Sequence, residues 1–269
     1  GPAYVAGTTS SSGATFPNGT GFASIVPAVP GFDQSANGFQ DAFVVKLAPS
    51  GTSLVYATYI GGSQGDSGSK IALDSSGAAY VVGSATSNQT TFPNGTGFAS
   101  LSPAVPGFDQ IFNGSEDAFV VKLTPDGQTL VYATYIGGSG DENGNAIAVD
   151  STGAAYVTGT TTSTQTTFPN GTGFAAPGFD QTHNGGLQDA FVLKLAPNGQ
   201  SLVDATYLGG SNLDSGLGIA VDSNGPPTSS ERSLRPRRRS RMAPAWLGSA
   251  CPSSISRSMA PVHGAMDTS

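Results

Sequence analysis

Short runs in which large apolar side chains alternate with smaller or polar ones recur along the first 225 residues. In Asp117-Ala118-Phe119-Val120-Val121-Lys122-Leu123, the residues Phe119, Val121 and Leu123 alternate with Ala118, Val120 and Lys122, which is the period of a strand and not of a helix. Before it, the β-like runs 70–74 and 79–83 flank Ser75-Ser76-Gly77; after it, Thr124-Pro125-Asp126-Gly127 leads to the run 129–136. Glycine-containing connections of this length join antiparallel neighbours. The pattern predicts four short strands that form one small sheet, with a long insert between the second and third.

The unit repeats. Ala3-Tyr4-Val5 returns at 79–81 and 155–157, and Asp41-Ala42-Phe43-Val44 returns at 117–120 and 189–192, spacings of 76 and then 76 or 72 residues. Both faces of such a sheet are apolar, so it must stack on its neighbours. Radial stacking of four-stranded sheets makes a propeller, closed at about four to eight blades, whereas a β-solenoid needs repeats of roughly 6–30 residues. The expected fold class is therefore all-β, an incomplete β-propeller of four-stranded antiparallel blades. It comprises a partial blade over 1–60, blades over 69–136 and 145–208, and the start of another over 217–225. About three blades do not make a closed ring, and exposed sheet edges are open to pairing.

The run Asp-Ala-Phe-Val-Val-Lys-Leu at 41–47 and 117–123 is followed by Leu-Val-Tyr-Ala-Thr-Tyr-Ile-Gly-Gly, and then by Ile-Ala-Val-Asp-Ser-x-Gly-x-Ala-Tyr-Val-x-Gly. Over residues 1–225 these motifs resemble the bacterial SBBP β-propeller repeat. The resemblance implies a propeller and residence in large exported or cell-surface proteins, and it brings no catalytic motif with it. The chain departs from the pattern in its longer inserts, in its low blade count, and in Asp204, which stands where the sibling units have Tyr56 and Tyr132.

Charge and composition divide the chain at Gly225. Residues 1–225 hold four lysines against sixteen acids, net −12, and no arginine, methionine, tryptophan or cysteine. Residues 226–269 hold seven arginines against Glu231 and Asp267, net +5, together with all three methionines, Trp246 and Cys251. The cysteine-free, acidic, Thr/Asn/Gly-rich body suits an exported protein, with an extracellular or cell-surface location. After Ser223-Asn224-Gly225 the repeat requires Ala-Ala-Tyr-Val-Val-Gly, but Pro226-Pro227-Thr228-Ser229-Ser230-Glu231 follows. Shifted by one base, codons for these six residues permit the required six in order. The basic tail 226–269 is thus read as a disordered frame-shift product, in preference to a nucleic-acid-binding patch, and its Cys251 and His263 receive no role. No apolar run approaches the roughly 18–20 residues of a membrane span.

Two sets of residues are candidates for binding. The inserts 9–40, 85–116 and 161–188 each repeat Phe-Pro-Asn-Gly-Thr-Gly-Phe-Ala. Their Phe16, Phe22, Phe92, Phe98, Phe168 and Phe174 either offer rings to a carbohydrate or protein ligand on one loop face or anchor the inserts to the blades. The glycine-rich loops 61–69, 137–145 and 209–217 carry carboxylates, densest at Asp141, Glu142 and Asn143. Those three are the candidate ligands for calcium, which takes about 6–8 oxygens; turn formation is the alternative role. Lys46, Lys122 and Lys194 recur in mid-strand, with Asp41, Asp117 and Asp189 as possible partners. His183 is the only histidine of the repeats, so no Ser-His-Asp or multi-histidine constellation can form there. The expected function is a non-enzymatic binding or scaffold module of a larger exported protein, without cofactor and packed on further repeats. A propeller-based hydrolase or lyase is the alternative, and a truncated product with no independent function is a third.

Overall fold

The computed structural model describes residues 1–222, and the expectations for the tail 226–269 lie outside the described residues. Among the described residues, eleven strands form three antiparallel sheets. The first sheet contains β1 (Ala3–Thr9), β2 (Asp41–Leu47) and β3 (Leu54–Ile60) in that order. The second contains β4 (Asp66–Leu73), β5 (Ala79–Ala85), β6 (Asp117–Leu123) and β7 (Leu130–Ile136), and the third β8 (Glu142–Val149), β9 (Ala155–Thr161), β10 (Asp189–Leu195) and β11 (Leu202–Leu208). Each is an up-and-down blade, the first with three strands among the described residues. The opening strands begin at Asp66 and Glu142, earlier than the apolar run alone suggests, because a bulge between Gly68 and Lys70, repeated between Gly144 and Ala146, carries the pairing onward into the glycine-rich loop.

The alternation in the third strand reflects two different neighbours. Phe119, Val121 and Leu123 pack with Val44, Tyr56 and Ile60 of the first blade, whereas Ala118 and Val120 pack with Ile147, Val157 and Phe191 of the third. The blades approach closely where the first strand of one crosses the second strand of its predecessor. A Cβ on Gly68 would stand 2.8 Å from the Gly7 carbonyl, and one on Gly144 2.8 Å from that of Gly83, so a larger residue would push the blades apart. Burial of whole blade faces is the main source of stability here.

The mid-strand lysines find their carboxylates elsewhere than expected. Lys122 pairs with Asp74 at 3.2 Å and Lys194 with Asp150 at 3.6 Å, at the end of the blade's own first strand. Their ammonium groups also lie 4.6 Å and 4.7 Å from the rings of Tyr80 and Tyr156. Asp117 and Asp189 begin the strands that carry these lysines, too far along an extended chain to reach them.

Candidate functional site

The long inserts leave the sheet after its second strand and return along its outer edge. In the second blade Ala133 N–H donates to Pro106 O (3.0 Å) and Tyr135 N–H to Asp109 O (2.8 Å). The same pair of bonds joins Ala57 and Tyr59 to Pro30 and Asp33, and Ala205 and Tyr207 to Pro177 and Asp180. Between them the Thr134 hydroxyl accepts the Asp109 N–H at 2.8 Å, a role that Thr58 and Thr206 repeat. The inserts are thus edge covers. They occupy the backbone groups of the last strand that would otherwise invite pairing with another chain.

The phenylalanines hold these covers down. Phe92 is fully buried, its ring 5.2 Å from those of both Phe119 and Tyr135, and Phe98 closes on Tyr135 at 5.8 Å. Phe168 is likewise buried against Phe191 and Tyr207, with Phe174 beside them. In the first blade Phe16 and Phe22 are half-buried around Tyr59. Tyr59, Tyr135 and Tyr207 in turn donate their hydroxyls to the carbonyls of Ser11, Ser87 and Ser163, at the start of each insert. The six rings proposed as a ligand face are turned into the protein, and Phe92 and Phe168 present no surface on which a ligand could stack. The motif also clips blade to blade: Gly61 N–H donates to Pro93 O and Gly137 N–H to Pro169 O, each at 2.9 Å.

The three calcium candidates do not converge. Glu142 is fully buried and accepts from Gly138 N–H (2.7 Å), Thr161 Oγ1 (2.6 Å) and Ser163 N–H (3.3 Å), so it organises its own loop. Asp141 is exposed and meets Ser115, while Asn143 Oδ1 accepts from Ser84 Oγ of the preceding blade at 3.2 Å. Among the described residues, no three His, Cys, Asp or Glu side chains are grouped to hold a metal ion. No helix among them is long and apolar enough to cross a membrane, which says nothing of a β-barrel.

A carboxyl pair with no sequence signature beyond its recurrence lies where the first and second inserts meet the next loop, Asp41 beside Asp66 and Asp117 beside Glu142. Asp41 and Asp117 are almost wholly buried; each accepts an insert N–H on Oδ2, from Asn37 and Asn113, and each leaves Oδ1 without a hydrogen-bond partner. Burial, aided by the neighbouring charges of Asp66 and Asp33, pushes Asp41 up to about 6. Burial, aided by Glu142 and Asp109, pushes Asp117 up to about 7. Asp66 and Glu142 are raised by burial as well.

Open space remains between each insert and the turn joining the last two strands. In the first blade a groove of about 370 Å³ is lined by Asn18, Ile25, Pro27, Val29 and Leu54. Its counterpart in the second, about 330 Å³, is lined by Asn94, Leu101, Pro103, Val105 and Leu130. The third insert is shorter, with Ala176 alone between Ala175 and Pro177 where the first has six residues between Ala23 and Pro30. Its groove, about 330 Å³ and lined by Phe108, Ala175, Ala176 and Leu202, keeps the counterpart of Leu54 and Leu130 but has none of Ile25, Pro27 and Val29 or of Leu101, Pro103 and Val105.

No curated protein matches the chain. The SBBP family model, described as a beta-propeller repeat, matches residues 55–89 and 131–165. Each match begins in the last strand of one blade and ends in the insert of the next, and so spans a blade junction. With its all-β blades of three and four strands, the chain carries tandem SBBP β-propeller repeats arranged as an incomplete, open propeller.

Proposed function

We propose that this chain is a non-catalytic module of a larger exported protein, and that it binds a partner protein through the paired grooves beside its inserts. The observation that carries this reading is the duplication. The same mixture of aliphatic side chains and one asparagine is built twice, at equivalent places on adjacent blades. Two equal sites on one rigid body favour a ligand that presents its own motif twice, since the second contact becomes intramolecular. Ile25, Val29 and Leu54 and their counterparts offer apolar contact, which suits the aliphatic side chains of an extended peptide better than a sugar, whose rings stack on exposed aromatic faces. Val26, 92% exposed at the rim of the first groove, is free to join such a contact. An acidic, cysteine-free body supports an extracellular or cell-surface setting.

The test is selection of peptides from a random display library against the 269-residue chain, with a glycan panel in parallel. Peptides that bind, and that lose binding to the Ile25→Asp and Leu101→Asp double variant, support the reading. Binding by glycans alone, or peptide binding indifferent to both substitutions, overturns it.

A further inference from the structure

The two ends of the strands differ sharply in charge. The register pairs Thr9 with Asp41, Ala42 with Ile60 and Asp66 with Ala85, so the inserts and the glycine-rich loops emerge together at one end of the blades. Counted over the inserts with the aspartate that follows each, and over those loops, this end holds eleven of the sixteen acids of residues 1–225. No arginine occurs in that stretch of chain, and none of its four lysines is at this end. Lys46, Lys122 and Lys194 lie near the far end of their strands, the latter two paired with Asp74 and Asp150, and Lys70 lies in mid-strand on β4.

Backbone clips hold this surface rigid. Asp66 N–H donates to Gln40 O and Glu142 N–H to Glu116 O, each at 2.7 Å, where the end of an insert runs beside the next loop. A Cβ on Gly38 would stand 1.8 Å from Gln64 O and one on Gly114 2.0 Å from Gly140 O, so the chain has no room to shift there. The first clip presents Phe39, 80% exposed; the second presents Glu116, half-buried, beside the exposed Asp141. Ile111, 59% exposed, is fixed by its own N–H, which donates to Asp109 Oδ1 at 2.9 Å, and by its carbonyl, which accepts from Asn113 Nδ2 at 2.9 Å. Large apolar side chains held in water on a pinned backbone lose little freedom when a partner covers them.

Beneath the clips the negative charge is poorly neutralised. Asp41, Asp117 and Asp189 are almost wholly buried, and each turns an Oδ1 without hydrogen-bond partner toward the glycine that opens the adjoining loop, Gly61, Gly137 or Gly209. Charges so enclosed are screened less than charges in water, and they add to the negative potential at the surface above. His183 is the only basic side chain at this end among the described residues, and its ring lies edge-on to Tyr207.

Acids spread over three blades, with no three grouped to hold a metal ion among the described residues, suit several cations on one chain better than a single ion. Phe39 and Ile111 add apolar contacts that a bare polycation leaves unused. We propose that this end of the blades is a docking face for a basic protein segment, whose lysines or arginines meet Glu116, Asp141 and the acids beneath them while its large apolar side chains cover Phe39 and Ile111. Opposite charges steer the encounter and set its orientation, and the apolar contacts hold the complex. The paired grooves flank the turn at 51–54 and its counterpart, at the other end of the strands, so this inference is independent of the reading built on them.

Fluorescence anisotropy of a labelled peptide in which leucines alternate with pairs of arginines, titrated with the 269-residue chain at about pH 8, tests this. Glu116→Gln, Asp141→Asn should weaken binding about three- to tenfold. Asp126→Asn, Asp204→Asn makes the same change of net charge at the other end of the blades and should weaken it less than about twofold. Phe39→Ser, Ile111→Ser should also cost about three- to tenfold, and this loss should persist when salt is raised from about 50 to about 200 mM, which screens the charges alone. The substituted side chains are exposed or half-buried, so each variant should fold as the parent does, which circular dichroism checks. The arginines of 226–269 are present in every variant, so differences between variants report the face. Equal losses from the two neutralised pairs would mean attraction to net charge alone and overturn the proposal. No binding at about 100 µM chain, or indifference to Phe39→Ser, Ile111→Ser, would overturn it as well. Displacement of the peptide by calcium at about 1 mM, where magnesium has no effect, would overturn it in favour of a metal site.

Discussion

Two recurring residues, an aromatic and an acid, do work that their positions in the sequence do not disclose. Phe92 shares a closed cluster with Phe119, Phe98 and Tyr135, so Phe92→Ala should cost about 3–5 kcal/mol in denaturant unfolding. Phe16→Ala, at a half-buried position, should cost less than half as much. Asp41 and Asp117 make the opposite kind of contribution. Their folded-state pKa values, about 6 and about 7, lie above the usual 3.8, so the folded chain holds protons that the unfolded chain releases. Stability from these two groups is full below about pH 4 and is lost as the pH rises through 6 and 7, a difference on the order of a few kcal/mol. Asp74 acts in the other direction: although burial opposes it, hydrogen bonds from Ser76, Lys122 and Ala78 hold it down to about 2, so its stabilisation disappears only in stronger acid. The melting temperature should therefore be higher at pH 5 than at pH 8. Asp117→Asn keeps an acceptor for the Asn113 N–H and removes the buried charge, so it should raise the pH 8 value and flatten the profile; an unchanged profile would refute this account.

The insert is the element whose role changes most between sequence and structure. Its length and its repeated aromatics suggest a loop face for ligands, because long ordered loops commonly carry function. In the fold the insert becomes an additional edge, hydrogen-bonded to the last strand of its blade. One hydroxyl tests how firmly this cover is held. Thr134→Val removes the acceptor of the buried Asp109 N–H, which should cost about 1–3 kcal/mol. The same variant should speed amide exchange at Asp109 relative to the strand interior. Exchange that stays as slow as in the parent chain would mean that the cover is fixed by its phenylalanines alone.

For the whole molecule, the blade junction is the unit that matters, and one residue interrupts its repetition. Asp204 stands opposite Lys194 in the third blade, at the place from which Tyr56 and Tyr132 reach the next blade's turn. Among the described residues no glycine meets the Asp204 side chain, so the ring-over-glycine contact that Tyr56 and Tyr132 make is not repeated there.

The blades themselves were legible without coordinates. A two-residue period, glycine-containing turns and a repeat of about 76 residues determine antiparallel strands in stacked sheets, because local backbone preference and face-by-face burial leave few other arrangements. The apolar run also located each strand, apart from the bulged starts at Asp66 and Glu142, where polar and glycine residues continue the pairing. Only the tertiary structure decided which side chains remain available to a ligand. Phe92 and an exposed binding phenylalanine look alike in sequence, and Lys122 could have turned to either end of its strand. Burial and ion pairing at these positions depend on what the insert and the adjacent blade bring within a few ångströms, and those groups lie tens of residues away along the chain.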